Sequence, residues 1–404
     1  MRRDRRRRGC RGVPPRPQGQ EHHRHRPHRR RGEHGVSATA TALNGHGVLP
    51  HREHDDFIIE PDDRVLVTGA TGFIGSRLVS TLLERGFRNL CCFARPSSEL
   101  TRLEALASAH RGARIDVVRG NLLSQGDCAA ATKDAAVIFN LAAGAGEKSF
   151  PDAFMNSVVT TRNLLEASLR YRCLRRFVHI SSFAVYTNTS KPRRGLLDEG
   201  CPVEHRPELR GEAYCFAKVK QEQTVTEYGQ KFGIPHVIVR PGSVYGPGKA
   251  GITGRVGIGT FGIFLHMGGG NAIPLTYVDN CAEAIALAGL RRGVEGEVFN
   301  VVDDDLPSSR RFLRLYKANV GRFTSLYVPH LVSHALCWMW ERYATWSEGQ
   351  LPPTFNRRRW HAEWKRTRYS NEKLKARLGW RPRVSTAEGL RRYFESCRER
   401  GQNA

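Results

Sequence analysis

The sequence predicts an α/β protein: a doubly wound parallel sheet joined to a smaller C-terminal lobe. Three observations carry that prediction. From residue 57 onward, short apolar runs alternate with amphipathic stretches, the pattern of successive βαβ units. The first run, Val65-Leu66-Val67-Thr68, leads directly into Gly69-Ala70-Thr71-Gly72-Phe73-Ile74-Gly75, with glycines spaced so that backbone can approach a phosphate at a helix start. After Gly246 the alternation gives way to a Gly-rich stretch and then to a tail of different composition.

Each element has its own local reason. Strands are expected over 64–68, 90–94, 115–119, 137–141, 176–181 and 236–240, where apolar residues run for several positions between polar or turn-forming ones. Helices are expected between them, notably over 73–85, 152–171 and 213–232. Because βαβ crossovers are right-handed, these strands generate a Rossmann-type sheet whose carboxyl edge receives the ligand. Residues 248–270 are too rich in glycine to predict regular structure. A helix over 280–291 and a strand over 298–302 return the chain to the sheet. The expected organisation is a disordered basic extension at 1–56, a dinucleotide-binding domain at 57–250 rejoined by 278–303, and a lobe from 251–277 and 304–404.

With 404 residues, 40% of them hydrophobic, the chain can bury a large core, and much of its net charge of +25 lies near its two ends. The Arg-, His- and Pro-rich start has too few apolar residues to offset chain entropy. It is expected to be a solvated extension, or upstream sequence translated from another start, and nucleic acid is not an expected partner. This start lacks the apolar core of a secretory signal. Ten cysteines without a Cys-x-x-Cys pair fit reduced thiols in a cytoplasmic protein, and no metal site is expected. Residues 326–346 gather Tyr327, Trp338, Trp340, Tyr343 and Trp346 but are too short and too interrupted to span a bilayer of ~30 Å. A helix packing its aromatic face on the core is the expected state; peripheral contact with a membrane through 326–346 is the alternative.

Further along, Tyr214-Cys215-Phe216-Ala217-Lys218 places a phenol and an ammonium one turn apart on one helix face. A phenol with an ordinary pKa of about 10 needs nearby positive charge to trade protons near neutrality, and Lys218 can supply it. The Gly-x-x-Gly-x-x-Gly spacing together with Tyr-x-x-x-Lys resembles the short-chain dehydrogenase/reductase superfamily, and within it the extended branch, the NAD(P)-dependent epimerase/dehydratase family. The resemblance runs from about residue 64 to 394. It passes through Asn140-Leu141-Ala142-Ala143, Ser181-Ser182-Phe183-Ala184-Val185-Tyr186, the run Arg240-Pro241-Gly242-Ser243-Val244-Tyr245-Gly246, Tyr277-Val278-Asp279 and Leu378-Gly379-Trp380.

The resemblance implies Ser182, Tyr214 and Lys218 as catalytic residues. Ser182 would orient the reacting oxygen, Tyr214 would exchange its proton as hydride moves, and Lys218 would also hold the nicotinamide ribose. It implies cofactor contacts at Gly69, Thr71, Gly72, Phe73, Ile74 and Gly75, at Asn121 and Leu122, at Leu141, Ala142 and Ala143, and at Pro241 and Ser243. Lys148 and Tyr245 are further substrate candidates, and the resemblance implies that the lobe from 251–277 and 304–404 is substrate-binding. Arg240 is expected either there or paired with a core carboxylate.

Departures from the family pattern narrow the expectation. Sugar-nucleotide 4,6-dehydratases of the family carry Asp-Glu just after the Ser or Thr; Phe183 and Ala184 cannot transfer protons, so no dehydratase activity is expected. Twenty residues past Gly75, where NAD enzymes place an acid for the ribose, stands Arg95, with no carboxylate before Glu99. A guanidinium suits a 2′-phosphate, so NADP is expected over NAD. Asn121 replaces a common Asp, and its amide oxygen can accept the adenine amino bond. The leading expectation is an NAD(P)-dependent epimerase or oxidoreductase acting on a secondary alcohol or ketone, foremost a nucleotide sugar. The alternatives are a 3β-hydroxysteroid dehydrogenase-like enzyme and a non-catalytic cofactor-sensing or nucleic-acid-binding protein. The resemblance further implies a homodimer.

Overall fold

Val65, Leu66 and Val67 are fully buried because the strand they form is covered by helices on both faces. The computed structural model describes residues 56–402 apart from 145, 147, 148, 190, 191, 193, 348, 349 and 351–354. The extension expected to be disordered therefore lies, up to residue 55, outside the described residues. In chain order the first elements are β1 (Val65–Thr68), α1 (Phe73–Glu84), β2 (Asn89–Ala94), α2 (Thr101–Ala109), β3 (Arg114–Arg119), α3 (Gln125–Thr132) and β4 (Val137–Asn140). Then come α4 (Phe150–Ala153), α5 (Thr160–Ser168), β5 (Arg176–Ile180), the short β6 (Leu196–Leu197), α6 (Ala213–Phe232) and β7 (His236–Pro241). The expected strands and α6 are present with ends shifted by no more than a residue.

The main sheet has seven strands in the order β3-β2-β1-β4-β5-β7-β12, where β12 is Val298–Val301, and every neighbouring pair is parallel. Its direction of winding reverses between β1 and β4, the switch point at which open α/β sheets take ligands. Alternation along β1 divides the core. Val65 and Val67 pack with Leu78 and Leu82 of α1 and with Ile285 of α7 (Val278–Leu290), while Leu66 packs with Leu164 and Leu165 of α5 and Val225 of α6. Burial on both faces is why these strands read as continuous apolar runs.

Two regions differ from the sequence expectation. The helix expected over 152–171 begins at Phe150 and contains a π-helical segment at Phe154–Val159 before continuing as α5. That widened turn faces the ligand cavity through Asn156, a placement common for such bulges. The Gly-rich stretch forms β8 (Ser243–Tyr245) before it and, within it, a hairpin of β9 (Gly257–Thr260) and β10 (Ile263–His266). Glycine there signals close backbone approach, not flexibility: a Cβ on Gly257 would sit 2.0 Å from the Leu265 carbonyl oxygen.

After β11 (Leu275–Tyr277), which pairs with β8, and the α7–β12 return, the chain continues through α8 (Ser309–Asn319), β13 (Ser325–Tyr327), α9 (His330–Trp346), α10 (Arg357–Glu363), β14 (Arg368–Tyr369), α11 (Glu372–Leu378) and α12 (Thr386–Gln402). β13 joins the edge of β10. The expected core packing of the 326–346 aromatics is not what forms. Helix α9 buries Ser333, Cys337 and Ala344, while Leu331, Val332, Leu336, Trp338, Met339, Tyr343 and Trp346 remain exposed. Its inner side is held by Cys337, which packs with Met267, Trp360 and Trp364, and by Trp360 Nε1 donating to Ser333 Oγ at 2.8 Å; Trp340 is half-buried against Phe355, and the other large apolar side chains face outward. The nine described cysteines are all free. Among the described residues, no helix is long and apolar enough to cross a membrane.

Candidate active site

The cradle is built by the turn from β1 into α1. Gly72 precedes the helix without a side-chain cap, so the first N–H groups of α1 are left for a ligand. A Cβ on Gly75 would stand 2.0 Å from the Gly69 carbonyl oxygen, so helix and turn pack this closely only with glycine there. We expect Gly75→Ala to force the turn outward at an overpacking cost of about 1–3 kcal/mol. A dinucleotide titration should show the affinity loss while circular dichroism remains that of the parent.

Along the carboxyl edge of the sheet runs a cavity of about 880 Å³. The cradle residues Gly69, Thr71, Gly72, Phe73, Ile74 and Gly75 line one part of it; Arg95, Asn121, Leu122, Leu141, Ala142 and Ala143 line the next. Ser182, Tyr214, Lys218, Pro241, Ser243 and Tyr245 complete the wall. Every sequence-predicted site residue thus meets in one cavity except Lys148, which lies outside the described residues. A buried network holds the strand ends in register: Thr68 Oγ1 donates to Asn140 Oδ1 at 3.0 Å and accepts from the Ala142 N–H at 3.1 Å, while Asn140 Nδ2 donates to Thr161 at 3.1 Å. Asn140 therefore serves the framework. The glycine turn, the helix N-terminus and Arg95 suit a dinucleotide, and the buried Ser181 hydroxyl has no partner among the described residues.

At the far end sits the proton-transfer group. Ser182 Oγ accepts the Ala184 N–H at 3.1 Å, which fixes the hydroxyl at the end of β5, on the same cavity wall as the Tyr214 phenol. Tyr214 is 42% exposed. Lys218, one turn on, is buried and donates from Nζ to the Ile180 carbonyl at 2.7 Å. Burial lowers the Lys218 ammonium to about 8, with the Glu222 carboxylate opposing the shift. The expectation that Lys218 lowers the Tyr214 phenol is not met in this state. Although the residue as a whole is 42% exposed, desolvation around its hydroxyl end holds the phenol above its ordinary value, nearby Ser182 opposes this only in part, and the lysine ammonium is engaged by Ile180.

Residues 65–301, more than half of the chain, match the model of the NAD dependent epimerase/dehydratase family. The chain belongs to that family. Among its relatives is the UDP-glucose 4-epimerase of Mycolicibacterium smegmatis, 28% identical over 359 residues, covering 84% of this chain and all of that one. The 3 beta-hydroxysteroid dehydrogenase/Delta 5-->4-isomerase of Mycobacterium tuberculosis is 33% identical over 193 residues, 46% of this chain and 48% of that one. The cinnamoyl-CoA reductase 1 of rice is 31% identical over 185 residues, and the match spans 45% of this chain and only 54% of the reductase. Among solved structures, the UDP-glucuronic acid 4-epimerase of Bacillus cereus in complex with NAD superposes with a TM-score of 0.62 at 22% identity, covering 83% of this chain and 99% of that one. That likeness bears on the fold.

Several sequence-predicted side chains of this family member are already engaged. Asn121 Oδ1 accepts the Leu123 N–H at 3.0 Å, so an adenine amino group would share an occupied acceptor. The Tyr245 hydroxyl donates to the Thr386 carbonyl at 3.4 Å, turned toward α12 rather than into open space. Ser243 Oγ lies 3.3 Å from Thr253 Oγ1. Arg240 takes the core alternative, with a bidentate pair to Glu222 at 2.8 and 2.6 Å.

Sequence reasoning missed a second chamber of about 180 Å³ beside Ser182 and Tyr214. Its wall includes Arg210, Glu212, Arg255 and Glu363. Arg210 and Arg359 hold Glu212 at 2.5 and 3.2 Å. Glu363 lies beside Glu212 in that wall, with its Oε1 3.5 Å from Arg359 and its Oε2 buried without a hydrogen-bond partner among the described residues. Glu363 arrives from α10, far away in sequence within a basic tail, and no local motif marks it. Burial and the adjacent Glu212 charge raise the Glu363 carboxyl to about 7, so the folded protein keeps this proton where the unfolded chain has released it. Its stabilising contribution is complete below the unfolded value of 4.5 and is lost as pH rises through about 7. Relative to Glu363→Gln, the parent should therefore lose melting temperature between about pH 5 and about pH 8; parallel thermal scans check this.

Proposed function

We propose that this chain is an NAD(P)-dependent epimerase or oxidoreductase that transfers hydride at a secondary alcohol or ketone, with a nucleotide sugar as substrate. The observation that carries the reading is the meeting of the glycine cradle with Ser182, Tyr214 and Lys218 in one cavity. The epimerase relative that aligns over 84% of this chain supports the choice of substrate class. A bound nicotinamide dinucleotide would supply the hydride acceptor. Gly69, Gly72 and Gly75 would seat its pyrophosphate against α1, and Arg95 would meet the ribose end. Ser182 holds the substrate oxygen, and Tyr214 takes or returns its proton. Lys218 fixes the end of β5 through Ile180 and would meet the nicotinamide ribose.

Arg95 at the end of β2 supports NADP over NAD, because a guanidinium can hold a 2′-phosphate through two bonds. Phe183 and Ala184 support the absence of 4,6-dehydratase activity. The 33% identity to a hydroxysteroid dehydrogenase over part of the chain favours an apolar alcohol as the second reading. One experiment tests these together: the protein is incubated with NAD or NADP and panels of nucleotide sugars and hydroxysteroids, with nicotinamide absorbance and product stereochemistry both followed. Inverted sugar product with no net absorbance change supports an epimerase; tighter binding of NAD, a 4-keto-6-deoxy sugar, or turnover of steroids alone each overturns the corresponding part.

A further inference from the structure

We propose that the outer face of α9 docks on an anionic lipid bilayer. The helix is inverted relative to an ordinary surface helix: its small and polar residues Ser333, His334, Cys337 and Ala344 turn inward, whereas Leu331 and Trp346 are 86% and 76% exposed. The exposed positions 331, 332, 335, 336, 338, 339, 342, 343, 345 and 346 occupy about half of the helix circumference over a length of about 25 Å. Arg342 is the sole charge among them. The adjoining strand extends the surface with exposed Leu326 and Tyr327. An apolar face this continuous marks an interaction surface, since water alone would favour the opposite orientation.

Charge selects the occupant. From Ser308 to Ser347 the chain carries six Lys or Arg and one acid, Glu341, and Arg357 engages that acid at 2.6 Å. The cations border the apolar face: the Arg310 guanidinium lies 5.4 Å from the Tyr327 ring centre, and Lys317 lies 4.8 Å from that of Phe323. A second copy meeting this face would bring like charges together and bury Arg342. An anionic bilayer removes both costs, because lipid phosphates meet the cations and the Arg342 stem can lie on the apolar layer with its head in the interface. Trp and Tyr suit the same headgroup depth. The helix then lies in the plane of the interface without crossing it.

The test is co-sedimentation of the full chain with vesicles of phosphatidylcholine alone or mixed equally with phosphatidylglycerol, alongside analytical ultracentrifugation without lipid. We expect sedimentation with the anionic vesicles, and a loss of about tenfold or more in partitioning for the double variant L331D/W346D. Unchanged dinucleotide binding by that variant would show that its cavity is intact. Three results overturn the proposal: no sedimentation of the parent; equal sedimentation of the variant, which would assign lipid binding to the basic N-terminal residues; or a lipid-free dimer that the variant dissociates, which would make a second copy the occupant.

Discussion

Replacing Tyr214 with phenylalanine is expected to lower turnover by about 10²–10⁴-fold, the usual worth of a positioned general acid–base group. The ring and its packing in α6 are retained, so melting temperature and dinucleotide affinity should stay close to those of the parent. The hydroxyl is the group removed, on the cavity wall it shares with Ser182. The phenol lies above its ordinary value in the absence of ligand, so the proton-transfer form must be reached when the cavity fills and new charge enters beside it. The check is single-turnover kinetics with the substrate found in the panel. A variant that turns over at the parental rate removes Tyr214 from the mechanism, whatever the substrate proves to be.

Glu222→Ala is expected to destabilise the protein by about 3–5 kcal/mol, because it leaves the Arg240 guanidinium charged and buried without its carboxylate. The pair lies beneath the site in a network that joins α6, β7, β12 and the loop after β5. Arg240 donates to Glu222 twice and to the Tyr186 hydroxyl at 2.9 Å, and Tyr186 donates to Asn300 on β12 at 2.7 Å. The Arg240 guanidinium also lies 4.7 Å from the Tyr186 ring centre. Because Tyr186 closes the loop that carries Ser182, the loss should appear in urea unfolding and in weakened activity of the surviving folded fraction. Replacing Arg240 and Glu222 together by apolar residues of similar volume should cost less than Glu222→Ala alone, since no unpaired charge is then left behind.

The network also shows where sequence reading stops. Tyr186 and Arg240 stand in motifs at the site edge, and the sequence alone leaves Arg240 between a site contact and a core pair. Packing assigns them to the framework, and the same holds for Asn140 and the hydroxyl of Tyr245. The cradle and the Tyr-x-x-x-Lys pair were legible because their chemistry depends on neighbours within one turn or one loop. Glu363 was not, because its proximity to Ser182 and Glu212 depends on how α10 folds back over the sheet edge. The hairpin at 257–266 was hidden for a related reason: its glycines record a contact with a partner strand, which composition alone reads as freedom.

The order of apolar runs and glycines determined the wound parallel sheet, the dinucleotide cradle and the residues offered for proton transfer, since each of these rests on periodicity or on contacts within a few positions. Tertiary structure alone decided which polar groups remain available, which carboxyl keeps its proton, and which side of α9 faces outward. Those outcomes depend on desolvation and on partners brought from distant parts of the chain, and no local pattern encodes either.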